Sequence, residues 1–96
     1  MSELKLLSPS KKDIKPIVEA ALQNEMRLLE AGIKKTKHNL REFETKYNLD
    51  TYNFLSAYEN DEFVETIEFA EWIGEIRMLE KLNDKSEILK SIKFAN

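Results

Sequence analysis

Carboxylates are the reactive groups this chain carries in greatest number, and they are densest between Asp61 and Leu82, which reads DEFVETIEFAEWIGEIRMLEKL. Asp61, Glu65, Glu68, Glu71 and Glu75 follow one another at three- or four-residue steps, with the single tryptophan, Trp72, among them. On a helix such spacing stacks like charges on one face, which is mildly destabilising and invites a cationic neighbour. Carboxylates on a straight helix do not converge on an ion as loop ligands do, which argues against a hard-cation site. The row therefore reads as a face that is solvated, paired within the chain, or presented to a basic protein. Its counterpart is Lys34, Lys35, Lys37 and Arg41 around His38. That run is short, has only Tyr47 nearby for stacking and lies on an acidic chain, so nucleic acid is not the expected partner.

Catalytic constellations are missing. His38 is the only histidine and there is no cysteine. Glu42 lies one turn beyond His38, and no serine is paired with it by any motif, so His38 reads as a solvated surface group. A di-iron site in a helical bundle needs Glu-x-x-His pairs, and Lys35 stands where the glutamate would be. Gly32 and Gly74 are isolated and cannot build a phosphate loop. No enzyme activity, metal or cofactor is expected.

The elements that must position these residues follow from composition and spacing. Ninety-six residues with net charge −3 make one domain, residues 1–96. Two Pro and two Gly among many Glu, Lys and Leu favour long helices. No apolar run reaches the length of a membrane span, and MSELKLLSPSKK has neither an apolar stretch nor a cleavage site of the secretory kind, so a cytoplasmic protein is expected. Residues 1–47 hold ten Lys/Arg and seven Asp/Glu, whereas residues 48–96 hold five and eleven. That asymmetry suggests that the halves face each other or that one faces a charged partner.

Residues 1–12 read as a flexible arm broken by Ser8-Pro9-Ser10. A first helix is expected from about Asp13, its N-cap, with Pro16 in the first turn. Leu22, Met26, Leu29, Ile33, Thr36, Leu40, Phe43 and Tyr47 then form an alternating three–four stripe, the seam of a coiled-coil-like contact. Gly32 would let another helix approach closely. Asn48 suits a left-handed helix end, and Asp50 or Thr51 can cap a short helix over 52–58 with Phe54, Leu55 and Tyr58 on one side. The third helix is expected from Asp61 to Leu82, capped by Asn60 or Asp61, and continuing or kinking through Asn83–Ser86 as far as Phe94. It carries one stripe of Phe69, Trp72, Ile73, Ile76 and Leu79 and a second of Phe63, Ile67, Ala70, Gly74 and Met78, more than one helix can cover. The expected fold is all-α: an antiparallel hairpin of two long helices with a short connecting helix. It would set Lys34, Lys35, Lys37, Arg41 and Lys46 beside Glu62, Glu65, Glu68, Glu71 and Glu75. The surplus stripe predicts a homodimer or larger oligomer.

Physical reading alone stops at a small helical interaction protein. From Phe43 to Ile92, however, a pattern stands out in Phe43-Glu44-Thr45-Lys46-Tyr47, Phe54 with Tyr58, Asn60-Asp61-Glu62, and Glu68 with Glu71-Trp72. In these residues the chain resembles small all-helical antitoxin components of prokaryotic toxin–antitoxin pairs. Asn48 stands where that class commonly has glycine. The resemblance implies a non-enzymatic protein that binds and neutralises a cognate toxin, often a nuclease, and the acid row makes a basic toxin the expected partner. The surface expected to do so comprises Glu65, Glu68, Glu71 and Glu75 for steering, with Phe69, Trp72 and Ile76 as apolar anchors. Trp72 also suits the core. Two other readings use the same features: a self-associating structural hairpin, and a viral or plasmid inhibitor of a host nuclease.

Overall fold

The computed structural model describes residues 2–4 and 14–94. The first long helix, α1, is Lys15–Tyr47; a short helix, α2, is Thr51–Glu59; and the second long helix, α3, is Ile67–Lys90. Three-residue strands β1 (Ser2–Leu4) and β2 (Ile92–Phe94) pair in parallel at the ends of the described chain, Ser2 opposite Ile92 and Leu4 opposite Phe94. The fold is the all-α hairpin that the spacing predicts. Most of the arm expected over residues 1–12 lies outside the described residues.

Helix α1 runs 33 residues without interruption because its one early proline, Pro16, sits in the first turn, where a missing N–H costs nothing. Ile14 holds the N-cap position and makes no side-chain cap; the expected cap, Asp13, lies outside the described residues. The predicted stripe faces α3 throughout: Leu29, Thr36 and Leu40 are buried, and Leu22, Met26, Ile33, Phe43 and Tyr47 are half-buried. The helix ends at Asn48, which is left-handed at φ 49°, ψ 49°. Leu49 N–H then reaches back to the Glu44 carbonyl at 3.1 Å, a closure that satisfies an otherwise orphaned acceptor.

The turn into α2 uses Glu44 a second time. Its carboxylate accepts from Thr51 N–H at 2.8 Å, while Asp50 accepts from the N–H groups of Tyr52 and Asn53. Of the two candidate caps, Asp50 takes the position and Thr51 is the first helical residue. One residue thus closes α1 with its backbone and opens α2 with its side chain.

Helix α3 begins six residues later than the pattern suggests. Asp61 is left-handed (φ 56°), and Glu62 N–H donates to the Ala57 carbonyl at 3.0 Å, so these residues terminate α2 and do not start a new helix. The N-cap is Thr66, whose hydroxyl accepts from Phe69 N–H at 3.1 Å. From Ile67 the helix is continuous through Asn83–Ser86 and ends at Lys90, short of Phe94.

The long helices are antiparallel. Lys46 meets Glu68, Gly32 lies under Leu82, and Ser86 Oγ is 3.6 Å from Met26 Sδ. A Cβ placed on Gly32 would stand 3.3 Å from Leu82 Cδ1, so the close approach anticipated at Gly32 is real. The hairpin measures 61 × 21 × 18 Å. Its core is gathered at the closed end, where Leu40, Phe54, Trp72 and Ile76 are buried and Phe43, Tyr47, Phe63 and Phe69 pack around them.

Candidate protein-binding groove

The site starts from an aromatic stack. Trp72, completely inaccessible to solvent, lies 3.9 Å from Phe54 at an interplanar angle of 4°. Phe43 stacks on the same indole at 5.3 Å and 10°, and Tyr47 at 5.8 Å and 23°. Burying an indole N–H without a partner is costly, and Thr51 supplies one: its hydroxyl oxygen accepts from Trp72 Nε1 at 3.1 Å. Glu44, Thr51 and Trp72 therefore form a chain of hydrogen bonds that ties the end of α1, the start of α2 and the middle of α3 together.

Above this stack, on one side of the α1–α3 seam, lies an open groove of about 570 Å³. Phe43 is the ring of the stack that lines it, with Gly74 and Met78 continuing the apolar floor. Glu42, Glu68, Glu71 and Glu75 stand around it, and Lys46 is its one cation. That cation is already engaged: Lys46 Nζ and the Tyr47 hydroxyl both donate to the Glu68 carboxylate. The two donors hold the Glu68 carboxyl below its usual range, Lys46 contributing most, and the carboxylate in turn raises both Lys46 and Tyr47. Glu71 and Glu75 make no ion pair or side-chain hydrogen bond among the described residues. The groove thus carries unbalanced negative charge over an aromatic and aliphatic floor.

The expected contact residues divide three ways. Glu68, Glu71 and Glu75 come together at the groove. Glu65 precedes α3; Tyr58 donates a hydrogen bond to it at 3.0 Å, which raises the Tyr58 hydroxyl. Trp72 and Ile76 are buried in the core, and Phe69, half-buried, packs against them. The acid row is correspondingly broken, since Asp61, Glu62 and Glu65 lie before the helix begins. The late start of α3 also shifts the pairing of the two halves. The basic run 34–41 lies level with roughly residues 73–80, and Lys46–Glu68 is the one ion pair between α1 and α3 among the described residues. His38 pairs with Glu42 within α1 at 2.9 Å, both groups being well exposed.

Phe43, Gly74 and Met78 were legible only as packing residues. The one trace of the groove in the sequence is Gly74, a mid-helix glycine; in the structure a Cβ added there meets nothing within 4 Å. On the other side of the seam a smaller groove, about 290 Å³, includes Lys37, Arg41, Glu44, Tyr52 and Glu80. Its charges balance, and the N–H groups at the start of α2 are taken by Asp50 and Glu44.

Among the described residues no group of His, Cys, Asp or Glu is placed to hold a metal ion, and no helix is long and apolar enough to cross a membrane. Comparison with protein-family models, curated proteins and solved structures returns no match.

Proposed function

We propose that the chain is a non-enzymatic, antitoxin-type protein that binds a basic protein partner and masks it. The observation that supports this reading is the groove, in which Glu71 and Glu75 stand over an apolar floor with no ion-pair partner among the described residues. Charge of one sign around a concave surface focuses the field and speeds the encounter with an oppositely charged partner. In this reading the steering groups are Glu68, Glu71 and Glu75 and the apolar contribution comes from Phe43 and Met78, all of which line the groove. An inhibitor of a host nuclease would use the same surface.

The direct test is genetic and kinetic. The product of the gene co-transcribed with this one is expressed alone and together with this chain. The expected result is growth arrest that this chain relieves, by a complex whose association slows several-fold in Glu71→Lys/Glu75→Lys at low salt. The slowing fades as the Debye length shrinks below about 10 Å. A neighbour that is harmless alone, or an association rate indifferent to both charge reversals, would count against the antitoxin reading.

A second reading, self-association, is favoured by the exposed stripe on α3. Ile67 is 82% and Met78 48% accessible, and Ala70 and Gly74 between them are exposed as well. Sedimentation velocity at micromolar concentration decides it: a dimer is expected, lost in Met78→Lys, and an 11.3 kDa species alone would end it.

A further inference from the structure

The three nearly parallel rings Phe54, Trp72 and Phe43 form a stack that is sealed by the core at Phe54 and reaches the groove at Phe43. A stack of flat rings reaching a cavity ringed by carboxylates has an evident next member: a flat cation. We propose that the groove takes an arginine side chain from an extended or helical segment of the basic partner. The guanidinium lies against Phe43 and is held by Glu71 and Glu75, and the aliphatic stem crosses Gly74 beside Met78. This deepens, and rests on, the reading of the chain as a binder of a basic protein.

Each part of the groove matches one part of that side chain. A guanidinium is planar and weakly hydrated, stacks on aromatic faces and donates in a fork to carboxylates, whereas a lysine ammonium is a compact, strongly hydrated point charge. Lys46 does not fill the role from within, because its ammonium is held by Glu68. The stem needs an uncluttered path along α3, and Gly74 provides it: apart from its chain neighbours and the backbone of its own helix, nothing among the described residues lies within 4 Å of where its side chain would begin. Glu71 and Glu75 are one turn apart on α3 and border the same groove, which lets both carboxylates address one guanidinium.

The groove can be filled without disturbing the fold, because the space over Gly74 is empty. The test compares three synthetic peptides of one sequence that carry arginine, lysine or the neutral, planar citrulline at the same positions. Binding is read by titration calorimetry and by amide shifts of the 15N-labelled protein. The expected result is that the arginine peptide binds at least tenfold more tightly than the citrulline peptide and several-fold more tightly than the lysine peptide. The largest shifts fall at Gly74 and its neighbours. Gly74→Leu lowers arginine-peptide affinity at least tenfold with thermal unfolding unchanged or raised, and Glu71→Gln/Glu75→Gln does the same. Equal affinity for arginine and lysine peptides, or binding untouched by Gly74→Leu, overturns the arginine slot while leaving a basic partner in place. Failure of both cationic peptides to bind the unmodified protein overturns the slot and the basic-partner reading together.

Discussion

Thr51 and Trp72 carry more of the molecule than their exposure suggests. Replacing Trp72 by Ala removes the ring on which Phe43, Tyr47 and Phe54 all stack, and should cost about 3–5 kcal/mol. Thr51→Val keeps the volume but strands the indole N–H in a buried site, at about 1–3 kcal/mol. Chemical denaturation of the two variants should show both losses, with Thr51→Val retaining the near-ultraviolet signature of the stacked rings. A Thr51→Val protein as stable as the parent would mean that the hydrogen bond contributes nothing. Glu68 sets a second expectation, in pH. Its folded carboxyl is lowered by Lys46 and Tyr47, so its stabilisation is present above the ordinary carboxylate pKa of about 4.3 and is lost as pH falls through the lowered value. Lys46 and Tyr47 are raised, so their share is present below about 10 and is lost as pH rises through the raised values. Glu68→Gln should therefore flatten both the acid and the alkaline limbs of a melting-temperature profile. If both limbs keep their slopes, the cluster does not contribute.

Among the elements, the turns decide what the helices can do. Asn48 in the left-handed region is tolerated because its short polar side chain suits that conformation better than most. Asn48→Ala should cost about 1 kcal/mol and Asn48→Gly should be neutral or stabilising, as thermal melts would reveal; equal melting of the two would sink this account of the α1 terminus. The contrast between α1 and α3 explains how much could be read in advance. The stripe from Leu22 to Tyr47 has one period and one buried face, so its direction and partner were legible. Asn48 announced its role by residue type, and the cap of α2 was narrowed to Asp50 or Thr51. The start of α3 did not, because Asp61 can cap a helix or, as here, end the preceding one, and Thr66 is equally good chemistry for a cap. That six-residue ambiguity moved Asp61, Glu62 and Glu65 off the helix and dissolved the expected ladder of ion pairs. Nor does the pattern say which of two overlapping stripes on α3 meets α1. The choice falls to the stripe holding Trp72 and Ile76, which brings the most apolar area against Phe43 and Leu40.

At the scale of the whole molecule, the feature that matters most is that the aromatic core occupies one end of a 61 Å rod. Around Leu40, Phe54, Trp72 and Ile76 three helices converge, and their interlocked rings leave little room for local opening. Toward the far end only two helices remain; Leu29 is the one buried apolar residue of α1 there, and Ile17, Leu28 and Ile88 stand exposed. Free energy of opening should therefore fall along the rod, and native-state amide exchange should register the gradient. Protection should be greatest near residues 40–47 and 70–79 and should decline toward residues 17–25 and 85–90, with the latter exchanging by local fraying well before global unfolding. Uniform protection along both long helices would instead mean that the hairpin opens as one cooperative unit. Should the gradient hold, the hairpin works as a clamp with a fixed jaw. The groove sits on the rigid third, so an incoming partner meets a surface already set in shape, and the entropy cost of ordering it has been met by folding rather than by binding.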